Sequence, residues 1–119
     1  MDKKSLMEYR YLGRTGLKVS LLSFGNMVNV HGDDAQERHN EIVAKLLENG
    51  VNFFDTAEAY GFGKAEVLLG QSLKDLKVKR EDVVISTKIF WSGMYGGVNS
   101  SGLSRKHIIE AARNCLKRL

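Results

Sequence analysis

Apolar positions along the chain fall into long runs of helical period and short runs of strand length. The first helical run covers about Asp34 to Glu48, with Ile42, Val43, Leu46 and Leu47 as its stripe and Asn49-Gly50 as its stop. Asp34 stands where a cap belongs, and Glu37, three residues on, completes the pattern of a capping box. The second covers about Lys64 to Leu76, with Ala65, Leu68, Leu69 and Leu73 on one face. Gly70 weakens it by roughly 1 kcal/mol relative to alanine. The third starts at Ser104 and aligns Ile108, Ile109, Ala112, Cys115, Leu116 and Leu119.

Between these lie LLSFG (21–25), VNFFD (51–55) and VVISTK (83–88), which read as strands. Their ends fall about 30 residues apart, the length of a strand-helix unit with its loops. Strand and helix alternate, so the pattern predicts an α/β fold of parallel strands joined by right-handed crossovers. Ahead of them EYRYLGRTGLKVS reads as a hairpin turning at Gly13–Gly16. The expected units are a hairpin over 8–20 and βα units at about 21–49, 51–76 and 83–119. GMYGGVNSSG (93–102) is Gly- and Ser-rich and reads as a flexible loop. The loops that follow the strands sit at their carboxyl ends, where parallel α/β folds carry their chemistry.

Composition adds limits. At 119 residues the chain is one small domain or a piece of a larger one. The net charge of +4 comes from basic residues dispersed among acids, which favours a solvated surface over a nucleic-acid face. One cysteine, Cys115, excludes an internal disulfide framework and fits a reducing compartment. Its position on the third stripe makes it a small core residue. No apolar stretch follows the charges of MDKKSLMEYRYLG, and no run approaches the roughly 20 apolar residues of a bilayer span. A cytoplasmic chain without direct membrane insertion is the expectation.

Candidate chemistry gathers where the second and third strands end. Alternation puts Val51, Phe53 and Asp55 on one face, and Val84, Ser86 and Lys88 on one face of the next strand. Neighbouring strands lie about 4.8 Å apart, so Asp55 and Lys88 can pair across them. An enclosed lysine without a partner is costly, and the aspartate answers that cost. A lysine held charged beside Tyr60 makes the phenol a better proton donor to a developing alkoxide. On spacing alone, a structural ion pair with Tyr60 packed over it is the favoured reading. GFGKAE (61–66) fits neither a P-loop, lacking Ser or Thr after the lysine, nor a dinucleotide fingerprint, since it does not directly follow a strand. His31, His39 and His107 lack metal-ligand spacing, so no metal is expected. His39 and His107 are expected on helix surfaces, and His31 in the first rim loop. Trp91 and Tyr95 fit either a pocket wall or ordinary packing.

YLGRTGLKVSLLSFG, NFFDTAEAYGFGKAEVLLG, VVISTKIFW and GLSRKHIIEAARNCLKRL resemble the opening third of an aldo-keto reductase, most of all the voltage-gated potassium channel beta-subunit branch. The resemblance runs from about Tyr9 to Leu119. It implies the N-terminal portion of a (β/α)8 barrel, the hairpin plus about three βα units, and NADPH-dependent reduction of aldehydes or ketones. It makes Tyr60 the general acid, Lys88 its tuning partner and Asp55 the holder of Lys88. Gly25, Asn26, Met27 and Thr56, with Asp55, match the cofactor-binding positions. Trp91 and His31 are the substrate-pocket candidates by their place at the strand ends. The family's fourth catalytic position and the loops that grip the cofactor's phosphates belong to later strands, so this stretch alone is expected to be inactive. The other readings are a structural or interaction subunit of a larger assembly and a channel-associated regulatory subunit. Three strands with three helices cover one sheet face. The inward row, Val51, Phe53, Val84 and Leu22, is expected to face other protein chains that complete the barrel.

Overall fold

A computed structural model describes residues 6–91 and 96–119. Two short strands, β1 (Tyr9–Tyr11) and β2 (Lys18–Ser20), form an antiparallel hairpin. Gly13 and Gly16 turn it with φ of 56° and 79°, a region open to glycine because it lacks a Cβ. There follow β3 (Phe24–Gly25), α1 (Ala35–Glu48), β4 (Phe53–Asp55), α2 (Lys64–Asp75), a 3-10 turn (Arg80–Asp82), β5 (Val84–Ser86) and α3 (Arg105–Arg118). The last three strands form a parallel sheet in the order β3-β4-β5, with Gly25 opposite Asp55 and Asp55 opposite Ser86. The α/β alternation read from the pattern is the observed architecture.

The core lies between this sheet and the helices. Phe54 is fully buried among Val43, Leu69, Leu73, Val51 and Val83. Val51 therefore joins the helix-side core rather than the row with Phe53. It precedes β4, its N–H donating to the Leu46 carbonyl at the end of α1, so strand phase does not reach it. LLSFG is strand only at Phe24–Gly25, and Leu22 is 66% exposed.

The helix ends differ from expectation in one place. Asp34 makes no side-chain cap bond. Its φ of −90° and ψ of 8° depart from the extended conformation a cap needs, and its carboxylate instead pairs with Arg38 at 2.7 Å. Ser104 does cap α3, accepting the His107 N–H at 3.0 Å. A cap of this kind stabilises by about 1 kcal/mol. Gly50, at φ 82°, ends α1 in the left-handed conformation. Gly70 earns its place in α2, since a Cβ there would collide with the Arg118 carbonyl oxygen. The close approach of α3 to α2 offsets the propensity lost.

Both helical histidines are buried, contrary to the surface expectation. Helix α3 turns His107, Ala111 and Cys115 inward, leaving Ile108 and Leu116 exposed. His107 finds Glu58 on the inner side, a partner the periodicity of apolar residues does not register. His39 sits in the α1–α2 seam. Ser72 gives its single hydroxyl hydrogen to the Asn40 Oδ1 at 2.7 Å, so the 2.8 Å contact with His39 is an Nδ1–H donating to Ser72. His39 Nε2 is then a bare lone pair, buried without a partner among the described residues.

Burial lowers the His39 pKa below the ordinary 6.5. Between the lowered and the ordinary value the unfolded chain binds a proton that the folded chain resists. Stability from this group is complete above about 6.5 and is lost as pH falls through the folded value. Urea midpoints at fixed protein concentration should fall as pH goes from about 7.5 to about 5, and His39→Gln should remove most of that slope. Equal slopes for the two chains would contradict the assignment.

Candidate active site

The chain leaves β4 through Asp55 and the buried Thr56 and Ala57 into the turn that carries Tyr60. Gly61, Phe62 and Gly63 all have positive φ, at 57°, 53° and 84°. The two glycines of GFG thus serve a left-handed turn and the start of α2. A Cβ on Gly61 would press to 2.9 Å from Val30, so this turn packs tightly beneath Tyr60.

Lys88 lies two residues beyond β5, yet backbone bonds carry the alignment past the strand ends. Thr56 N–H donates to the Ser86 carbonyl at 2.8 Å, and Glu58 N–H to the Lys88 carbonyl at 3.1 Å. The Lys88 ammonium donates to Asp55 Oδ2 at 2.6 Å and to the Thr56 carbonyl at 2.9 Å. It stands 4.9 Å from the centre of the Tyr60 ring, within cation–π range. Ser86 holds the other carboxylate oxygen, donating to Asp55 Oδ1 at 2.5 Å. Burial pulls the Lys88 pKa down, but hydrogen bonds and charge from Asp55 and Tyr60 outweigh it, and the net shift is upward. The lysine stays charged over the face of the Tyr60 ring. At 50% side-chain exposure the group is open to a ligand from the rim.

The cofactor candidates cluster beside this trio. Gly25 is exposed at the end of β3, with open space where a Cβ would stand, and Met27 is exposed next to it. Asn26 N–H donates to the Asp55 backbone carbonyl at 3.3 Å, tying that rim to the end of β4. The Asn26 side chain points inward, its Nδ2 donating to the Ala65 carbonyl at 2.8 Å. Thr56 is likewise enclosed, so these two shape the rim through its backbone. Among the described residues, neither His31 nor Trp91 makes a hydrogen bond, ion pair or ring contact with the trio. His31 offers its carbonyl to Arg38 at 2.6 Å, and Trp91 is 80% exposed against Phe90. Tyr95 lies outside the described residues.

Four neighbours escaped the sequence reading: Ser86, Glu58, Glu66 and Thr87. The signal for Ser86 was its place opposite Asp55 in the register. In the sequence the two glutamates stand between apolar residues, Ala57 and Ala59 for Glu58 and Ala65 and Val67 for Glu66, and both are fully buried. Cys115 is buried as expected, and burial followed by the hydrogen bond and charge of Glu66 pushes its thiol up to about 12. Among the described residues no His, Cys, Asp and Glu cluster forms a metal site.

The sequence model of the Aldo/keto reductase family matches residues 22–119. The chain belongs to this family. Among similar proteins, a probable voltage-gated potassium channel subunit beta of Arabidopsis thaliana is 49% identical over 113 residues. That alignment covers 95% of this chain and 34% of the relative. The corresponding protein of Oryza sativa subsp. japonica is 48% identical over the same coverage. The chain thus spans about a third of the length of these relatives. An aldo-keto reductase from Bacillus halodurans in its holo form superposes with a TM-score of 0.75 at 32% identity, over 95% of this chain and 36% of its own. A thermostable aldo-keto reductase solved with the inhibitor epalrestat gives 0.77 at 30%, over 94% and 38%. The aldo-keto reductase fold is therefore present here as part of a TIM barrel, with Asp55, Tyr60 and Lys88 at its carboxyl rim.

Proposed function

We propose that this chain is the N-terminal part of an NADPH-dependent reductase of aldehydes or ketones. The observation that carries the reading is the Lys88 ammonium held between Asp55 and the Tyr60 ring. When bound, the nicotinamide supplies the hydride. The residues present fit its nicotinamide end: Gly25 leaves space open at the rim, Met27 borders it, and Asp55 lies alongside. Tyr60 gives its phenolic proton to the carbonyl oxygen as negative charge develops there. Lys88 stabilises the phenolate left behind, and Ser86 and Asp55 keep the ammonium from swinging away. Trp91 and His31 are the candidates to border the substrate.

The names of the plant relatives favour a second reading, a channel-associated or structural subunit in a larger assembly. Under either reading other protein chains or further barrel strands cover the open sheet face. A cytoplasmic setting is part of both readings. No helix among the described residues is long and apolar enough to cross a membrane.

The test joins residues 1–119 to the C-terminal two-thirds of the Bacillus halodurans reductase. The expected result is NADPH oxidation dependent on an added aldehyde. A folded chimaera that binds NADPH and turns over no carbonyl compound would favour the subunit reading.

A further inference from the structure

Between the sheet and helices α2 and α3 lie two fully buried carboxylates, Glu58 and Glu66, outside the catalytic trio. Replacing buried ion pairs by apolar groups of similar size is often neutral or stabilising, so stability alone is a weak account of them. Their partners on the sheet side have a common location. Glu66 Oε1 accepts from Thr87 Oγ1 at 2.6 Å, and Glu58 Oε1 accepts from the Phe90 N–H at 3.2 Å. The Glu58 backbone binds the Lys88 carbonyl between them. On the far side α3 braces both: His107 Nε2 lies 3.3 Å from Glu58, and Arg118 Nε donates to Glu66 at 2.5 Å.

We propose that Glu58 and Glu66 are positioning residues for Lys88, a buried clamp anchored on α3 that fixes the 87–90 segment level with Asp55 and Tyr60. β5 ends at Ser86, so the ladder alone does not hold this segment. The clamp supplies the missing restraint through one bond before Lys88, one at it and one after it. The proposal rests on Lys88 being the partner of Tyr60. Its test reads the lysine itself rather than turnover, so failure of the enzymatic reading would show separately.

The experiment is competitive labelling of the folded chimaeric barrel with trace acetic anhydride at fixed pH, each lysine of residues 1–119 quantified by mass spectrometry against Lys45. Reactivity follows the unprotonated fraction, which changes tenfold per pKa unit. Glu58→Ala should raise Lys88 reactivity about three- to tenfold relative to Lys45. Glu58→Gln, which keeps an oxygen for the Phe90 N–H, should restore it to within about twofold of the parent. Val43→Ala, a core truncation remote from the clamp, should leave Lys88 unchanged. An unchanged Lys88 in Glu58→Ala would overturn the proposal, as would an equal rise in Val43→Ala. If Glu58→Ala unfolds, every lysine will react alike, and Thr87→Val then decides. It removes one bond of the clamp at nearly constant volume. A raised Lys88 reactivity supports the clamp, and an unchanged one overturns it.

Discussion

Tyr60→Phe in the chimaeric barrel should lower aldehyde reduction by about 10²–10⁴-fold, the usual contribution of a positioned general acid. The phenylalanine ring preserves the packing under the Lys88 ammonium, which meets the ring face at 4.9 Å. Only the transferable proton is lost. NADPH affinity should change little, because the rim at Gly25 and Met27 and the Asp55–Lys88 pair are untouched. Loss of rate with unchanged cofactor binding marks an interaction made in the transition state. Stopped-flow fluorescence gives the binding constant, and steady-state absorbance gives kcat and KM. A variant that keeps more than about half the parental kcat would remove Tyr60 from the acid role.

The isolated 119-residue chain should not behave as a stable free monomer. Its accessible surface is 8233 Å². A compact monomer of 13.3 kDa exposes about 6,450 Å², an excess of roughly 1,800 Å² for this chain. A typical protein–protein interface covers only about 800 Å² per partner. The radius of gyration of 15.5 Å tells the same story against about 13.5 Å for a compact chain of this length. The apolar residues left outside include Leu22, Ile108 and Leu116, the last 78% exposed. The sheet is covered by helices on the Phe54 face, while Phe53 and Val84 on the other are only half-buried. Parallel sheets are normally covered on both faces, and unpaired strand edges invite association. Sedimentation should therefore show concentration-dependent association, with a thermal transition that moves with concentration or lacks cooperativity. A sharp, concentration-independent transition from a monomer would refute this.

The sequence by itself determined the order of elements and the identity of the rim. Apolar runs of two periods gave alternating strands and helices, because each element must turn an apolar face to one core. Asp55 at the end of β4 and Lys88 past β5 were legible because carboxyl strand ends share a level in a parallel sheet. Tyr60 was legible as a residue, but its station over the ammonium depends on the left-handed turn at 61–63. Tertiary structure decided what each polar group meets. His39 and His107 look like surface residues in a helical pattern. Ser72 and Glu58, 33 and 49 residues away in sequence, take them into the interior. The same holds for Glu58 and Glu66, whose burial follows from partners on β5's continuation and α3. Apolar periodicity records which faces leave water, since burial of carbon is local and non-directional. Hydrogen bonds are directional and join distant segments, so which buried polar groups are satisfied is decided only when the helices dock on the sheet.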